Sequence, residues 1–191
     1  HKVMQASGFL MELVNNVLNM NKLESGEMKP ENKPFDLIEL LKETTSIIEM
    51  QGQEYAIHFQ MQMGKHKYRH LIGSPLYLKQ VLQNIGGNAV KYNRAGGAVT
   101  FASEDVAYSD GRVVVKFTCT DTGRGMSREF LVHAFEPFSQ ENTDARTTFT
   151  GTGLGLAITK QMVELMEGTI SLKSEQNVGT TISVTIPFRI D

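Results

Sequence analysis

The chain has 191 residues, 40% hydrophobic and 21% charged, which is ordinary usage for one main domain with an appended element and far from the composition of a disordered chain. Nineteen basic against 21 acidic residues leave a formal net charge of -2, which argues against a nucleic-acid surface or an acidic-membrane surface as a partner. Cys119 is the single cysteine, so no intramolecular disulfide forms, and no run approaches the ~20 apolar residues of a membrane helix.

From Val3 to about Leu23 apolar residues recur at helical spacing. Leu10, Val14 and Val17 share a stripe with Asn21, and Phe9, Leu13 and Met20 lie beside it. This predicts an amphipathic helix in need of a partner. Gly26, Pro30 and Pro34 then interrupt the chain, which divides it into residues 1–30 and 31–191. Asp36 is placed to cap a second helix reaching about Gln51, with Leu37, Ile38, Leu41, Ile47 and Ile48 toward a core. Ile57, Phe59, Met61 and Met63 alternate with polar residues as in a half-buried strand. Ser74 followed by Pro75 opens a third helix, running to about Tyr92. Strands are expected over 98–108 and 112–120, joined by Ser109-Asp110-Gly111, with Val113, Val115, Phe117 and Cys119 on one face. Cys119 in that alternation reads as core. A glycine-rich turn, a short helix and a Thr-rich loop follow. A last long helix covers Leu154 to about Met166 and ends at Gly168. Two closing strands carry Ile170 and Leu172, then Ile182, Val184, Ile186 and Phe188. Three main helices against a mostly antiparallel sheet make a two-layer α/β sandwich, with the N-terminal amphipathic helix added to it.

Three segments carry chemistry. Asn84, Asn88 and Lys91 are spaced by four and three on the third helix and share one face. Any helix that meets water carries such a face, but Mg²⁺ takes oxygen ligands while keeping several waters, so an Asn amide with phosphate oxygens forms a sensible site and a nearby Lys offsets phosphate charge. Asp121-Thr-Gly-Arg-Gly-Met126 follows a strand directly. Such a string also occurs in ordinary turns, yet a carboxylate there is placed to accept a hydrogen bond from an exocyclic amine such as that of adenine. Gly151-Thr-Gly-Leu-Gly-Leu-Ala-Ile158 enters an amphipathic helix, where free N–H groups and the positive end of the helix dipole suit a polyphosphate. It is not a P-loop, lacking Gly-Lys-Ser/Thr, nor a dinucleotide-binding fingerprint, lacking a preceding strand. Between the two glycine clusters lies Phe135-Glu-Pro-Phe138, then a polar run over 139–150 that reads as a lid.

In order, these segments resemble the N, G1, F and G2 boxes of the GHKL (gyrase, chaperone, histidine kinase, MutL) ATPase superfamily, closest in wording to sensor histidine kinases, over about Phe35 to Phe188. The resemblance implies the Bergerat fold and ATP with Mg²⁺ as cofactors. It implies that Asn88 coordinates Mg²⁺, with Asn84 and Lys91 near the phosphates, and that Tyr92 packs on adenine. Asp121 would hydrogen-bond the adenine amino group in a pocket shaped by Gly123 and Gly125, sharing a water with Thr181. Gly151, Thr152, Gly153, Leu154 and Gly155 would form the phosphate-facing hinge of an ATP lid, with Arg146 a further candidate phosphate contact. The N-terminal helix is similar to the second helix of a kinase dimerisation and phosphotransfer domain, so 1–30 is expected to be the remnant of that domain and 31–191 the ATP-binding catalytic domain. His1 is a poor acceptor, because Lys2, Val3, Met4 and Gln5 follow it where the family has an acidic residue and a proline. His58, His66, His70 and His133 lack metal-ligand spacing and are expected at the surface or in strands.

The activity implied is transfer of the ATP γ-phosphoryl group to a histidine on a dimerisation helix of the same or a partner subunit, for relay to a response-regulator receiver domain, within a homodimer. Gln80 is set where the hydrolytic branch of the superfamily has an activating glutamate; a neutral amide is a poor base, which argues against that branch. The other alternative is a nucleotide-binding pseudokinase scaffold, favoured by one departure from the family pattern: Gly86-Gly87 stand where the N box carries bulky apolar residues, at ~1 kcal/mol each against alanine. The glycines mark either a loose helix or a close packing. A cytoplasmic location is expected for these residues, with no membrane contact, and any membrane anchor of the whole protein is expected upstream.

Overall fold

In the computed structural model, which describes residues 2–141 and 151–191, the first helical pattern becomes α1 (Lys2–Glu24). There follow β1 (Lys33–Asp36), α2 (Leu37–Glu54), β2 (His58–Met63), β3 (His70–Gly73), α3 (Pro75–Lys91), β4 (Ala98–Ser109) and β5 (Arg112–Asp121). A short α4 (Arg128–Leu131), then α5 (Gly155–Leu165), β6 (Thr169–Glu175) and β7 (Gly179–Ile190) complete the described elements.

The helix starts lie where the caps put them. Asp36 accepts a hydrogen bond from the Glu39 N–H at 3.0 Å, which satisfies one of the amides that a first turn leaves free. Ser74 is the N-cap of α3, with Pro75 in the first turn, where its missing N–H costs nothing. The β4–β5 turn takes Asp110 and Gly111 through φ 50° and 74°, the left-handed pair that matches the twist of a two-residue hairpin. Gly168 ends α5, but the left-handed residue is Glu167 at φ 59°. Gly168 instead donates its N–H to the Val163 carbonyl at 2.9 Å and makes room for a strand, since a Cβ there would lie 2.6 Å from the Thr185 carbonyl oxygen.

The strands order β1-β3-β7-β5-β4-β2, with β6 also pairing β7; only β2–β4 is parallel. Two strands were not expected. β1 and β3, of four residues each, pair antiparallel at the sheet edge, and because β1 is outermost, Pro34 sits in a strand without breaking a ladder. Alternating residues of the central strands, among them Phe101, Phe117, Val184 and Ile186, are fully buried under Leu41 and Ile48 of α2, Leu78 and Val81 of α3 and Val163 of α5. The result is the expected two-layer α/β sandwich.

α1 lies against α5. Its stripe divides: Met20 is buried and Val17 and Leu23 pack on the core, whereas Leu10, Met11, Val14 and Leu18 are exposed. On the inner side the Asn16 amide donates to Thr152 Oγ1 at 3.0 Å.

Candidate functional site

One cleft receives side chains from α3, the end of β5, β7 and the start of α5; counted together with the open solvent at its mouth, its space is about 1060 Å³. Asn84, Asn88 and Lys91 line it from α3, as the four-and-three spacing requires of one helix face. Asn84 is already engaged: its Nδ2 donates to the Gly155 carbonyl at 2.8 Å and also contacts Thr159 Oγ1. It braces the start of α5 against α3. Lys91 is exposed, its Nζ 5.5 Å from the centroid of the Tyr92 ring, which also lines the cleft.

Asp121 closes the far end. Burial pushes its carboxyl above the usual carboxylate range, against the opposing hydrogen bonds from the N–H groups of Gly123 and Thr180; the Gly123 bond is 2.8 Å. A carboxylate accepts up to about four hydrogen bonds, so beyond these two it can still accept one that a ligand brings. Gly123 does not line the cleft but lets the chain pass, since a Cβ would stand 2.5 Å from the Tyr92 carbonyl oxygen. Cys119 also lines the cleft from β5. Burial, with the Asp121 charge adding to it, pushes its thiol up to about 12, so it is a protonated wall and no nucleophile.

The glycine segment forms the third side. Gly151 and Gly153 take φ of 135° and 71°, backbone that other residues adopt only with strain. At Gly153 a Cβ would also lie 2.7 Å from the Phe138 carbonyl carbon. Leu154, the residue before α5, offers no side-chain cap, so first-turn amides remain open to an anion.

The expected site residues divide as follows. Asn84, Asn88, Lys91, Tyr92, Asp121, Gly125, Gly151, Thr152, Gly153 and Gly155 all line the cleft. Leu154 does not: it is fully buried in the core. Thr181 does not either. Strand alternation turns it to the other face of β7, where its hydroxyl meets Thr120 Oγ1 at 3.1 Å, and the threonine on the cleft is Thr180, paired with Asp121. Gln80 is also off the cleft, its Oε1 buried without a hydrogen-bond partner among the described residues. The residue one turn before Asn88 on the cleft is Asn84, which is likewise an amide, so the argument against a water-activating base passes to it. Arg146 lies outside the described residues. Sequence reasoning missed Thr180, Cys119 and Ile182, which the period of two on β5 and β7 would have supplied, and Arg124 and Glu12, for which tertiary placement alone gives the signal.

A family model described as histidine kinase-, DNA gyrase B- and HSP90-like ATPase matches residues 73–190. The chain belongs to that family. Among relatives of this ATPase-family chain, the peroxide stress-activated histidine kinase mak1 of Schizosaccharomyces pombe is 30% identical over 190 residues, covering 99% of this chain and 12% of mak1. The signal transduction histidine-protein kinase BarA of Escherichia coli is 31% identical over 172 residues, covering 90% of this chain and 19% of BarA. The chain therefore spans a minor part of the length of these relatives. Full-length ShkA, solved in complex with AMPPNP, superposes with a TM-score of 0.80 at 28% identity over 95% of this chain and 36% of ShkA. The mycobacterial sensor histidine kinase MprB gives a TM-score of 0.66 at 26% identity over 83% of this chain and 100% of that one.

A second constellation resembles acyl-transfer machinery. His66 Nδ1 lies 2.7 Å from Asp105 Oδ1 and its Nε2 2.9 Å from Ser103 Oγ, the order of base, orienting acid and nucleophile. Contrary to the surface position expected of His66, its side chain is 3% exposed and that of Asp105 2%; Ser103 is 2% exposed. No substrate carbonyl reaches that hydroxyl. Burial would raise the Asp105 carboxyl, but hydrogen bonds from the Tyr108 hydroxyl, the Lys67 N–H and His66 outweigh it and hold it below the usual range. The cluster pins the chain between β2 and β3 onto β4.

Proposed function

We propose that this chain is the ATP-binding catalytic domain of a two-component sensor histidine kinase. The observation that carries this is the convergence on one cleft of an amide and lysine helix face, a buried carboxylate and an uncapped glycine-rich helix start. Asp121 is suited to accept from the adenine amino group, and Thr180, rather than Thr181, stands beside it. Tyr92 offers its ring to the base. The phosphates would run toward Lys91 and the 151–155 segment.

Among the described residues no group of three His, Cys, Asp or Glu side chains converges to bind a metal, and the cleft offers amides on α3. That donor set fits Mg²⁺ carried by nucleotide phosphates, with Asn88 as its protein ligand. When bound, the cation neutralises phosphate charge. The protein's share is positioning: Asn84 fixes α5 relative to α3, and Lys91 draws the phosphates toward an open edge. There an imidazole nitrogen of a dimerisation helix attacks the γ-phosphorus; an N–P bond forms, the P–O bond to ADP breaks, and the imidazole loses its proton. Relay to a receiver-domain aspartate, homodimerisation and a cytoplasmic location follow from the same reading. α1 fits the second helix of the dimerisation domain and residues 31–191 the catalytic domain.

The paired glycines, the one sequence feature favouring a pseudokinase scaffold, lose force because Gly86 serves close packing against Ile48. The test is calorimetric titration with a non-hydrolysable ATP analogue, with and without Mg²⁺, on wild type, Asp121→Asn and Asn88→Ala. Wild type should bind, the first change should weaken binding throughout, and the second should chiefly remove the Mg²⁺ dependence. Absence of binding by wild type sinks the proposal. Phosphate appearing on a supplied acceptor helix then separates kinase from scaffold, and steady phosphate release without one would favour a hydrolytic ATPase.

A further inference from the structure

Arg124 stands between Gly123 and Gly125 with its backbone held on both sides. Its N–H donates to the Tyr92 carbonyl at 3.1 Å, and its carbonyl accepts from the Asn177 N–H at 2.7 Å. The flanking glycines permit that seat: at Gly125, with φ of 64°, a Cβ would come within 1.9 Å of the Glu175 carbonyl oxygen. What is left to vary is the side chain, and it lies across the Tyr92 ring with Cζ 4.6 Å from the centroid. Lys91 Nζ approaches the same ring at 5.5 Å. Two cations thus approach one aromatic ring of the cleft, and among the described residues neither is in an ion pair.

Among the described residues, three carboxylates line the same cleft. Asp121 accepts from the Gly123 N–H and Glu141 from the Ser127 N–H, while Glu12 reaches in from α1. Burial raises the Tyr92 phenol, with the charge of Arg124 opposing and that of Glu12 adding, so both charges are felt at the ring. A guanidinium placed over an aromatic ring still carries five N–H donors, in the fork geometry that matches an oxyanion. Both cations line the cleft, and each would gain from an anionic ligand there.

We propose that Arg124 is a phosphate-binding residue of this site: placed over Tyr92, its planar donors take phosphate oxygens of the nucleotide, so that the cleft selects charged nucleotides over the uncharged nucleoside. This rests on reading the cleft as a nucleotide site. It assigns a ligand contact to the arginine of the Asp-Thr-Gly-Arg-Gly segment, where only the aspartate and glycines have so far had a role.

The experiment is calorimetric titration of wild type, Arg124→Gln and Arg124→Lys with adenosine, ADP and a non-hydrolysable ATP analogue, at low and high salt. Arg124→Gln should weaken ADP and the analogue by about tenfold, the scale of one charge-assisted hydrogen bond, and flatten their salt dependence. Adenosine should change by less than ~2-fold, because it brings no phosphate. Arg124→Lys, which keeps the charge without the fork, should fall between. An equal loss for adenosine would overturn the proposal, since Arg124 would then act only by holding the Tyr92 ring. Unchanged ADP affinity would overturn it too. Failure of wild type to bind any of the three would refute the nucleotide reading itself, an outcome distinct from binding that ignores Arg124.

Discussion

Gly86 and Gly87 are neighbours on α3, yet alanine at the two positions should have opposite effects. At Gly86 a Cβ would stand 2.3 Å from Ile48 Cδ1, 2.9 Å from Cγ1 and 3.2 Å from Cγ2. Ile48 is fully buried, so it has no free space to turn into, and α3 would have to move off α2. Overpacking of this kind costs ~1–3 kcal/mol, more than the ~1 kcal/mol that alanine returns in helix propensity. Gly86→Ala should therefore destabilise by up to about 2 kcal/mol, lowering Tm by up to ~8 °C for a chain of this size. At Gly87 the nearest atom to a Cβ is Gln51 Oε1 at 4.0 Å, an ordinary contact, so Gly87→Ala should stabilise by ~0.5–1 kcal/mol. Urea unfolding of both variants measures the pair. Ile48→Val, which removes the closest atom, should recover part of the Gly86→Ala loss in a double-mutant cycle. Equal effects of the two glycines, of either sign, would refute the packing argument and return the pair to simple helix loosening.

Asp121→Asn should lose nucleotide yet unfold at a higher temperature. The folded-state pKa of Asp121 is raised, chiefly by burial, so ionisation weakens the fold as pH rises through that pKa; the advantage of the neutral amide should exist above it and vanish as pH falls through it. Thermal unfolding against pH checks the sign. His66→Ala strands two buried partners, Asp105 and Ser103, and should cost about 2–3 kcal/mol without changing nucleotide affinity, since none of the three lines the cleft. Because the Asp105 carboxyl is held below its usual range, its contribution to stability in the wild type should be lost only as pH falls below ~4. Asn16→Ala removes the hydrogen bond to Thr152 and should speed amide hydrogen exchange in α1 while leaving β5 and β7 protected; uniform exchange across all three would contradict an independent α1.

Local rules account for what was legible. Asp36, Ser74 and the Asp110-Gly111 turn each carry their instruction within four residues, and the alternation of β5 and β7 states which side chains share a face. The edge strands β1 and β3 were hidden because four residues show no period, and Pro34 argues against a strand unless one knows that β1 is outermost. Thr181 and Leu154 failed for a related reason. A motif gives the neighbourhood of a site, while orientation inside it is set by strand parity and by which flank meets the core. Parity alone would have chosen Thr180, since Ile182, Val184 and Ile186 already mark the inner face. Glu12 had no such signal, because α1 comes to the cleft by tertiary packing, against α5 and through the Asn16 bond to Thr152.

The cleft walls differ in how they are held, and that difference bears on how a ligand would be received. Asp121 sits at the end of β5, which pairs with β4 on one side and β7 on the other along nearly its whole length, so the carboxylate cannot shift without moving the centre of the sheet. The 151–155 segment is anchored in the core by Leu154, while its other tethers to the rest of the cleft include, among the described residues, single bonds: Gln140 Nε2 to the Gly151 carbonyl at 2.6 Å, Asn84 to the Gly155 carbonyl, and Asn16 to Thr152. Each of these is worth ~1 kcal/mol net, small beside the charge-assisted contacts a polyphosphate makes. On the proposed nucleotide reading, the base would meet the rigid wall and the phosphates the wall at 151–155. Of these tethers, that from Asn16 belongs to α1, so any displacement of α1 bears directly on the 151–155 wall of the cleft, and it also moves Glu12, which lines the cleft from the same helix.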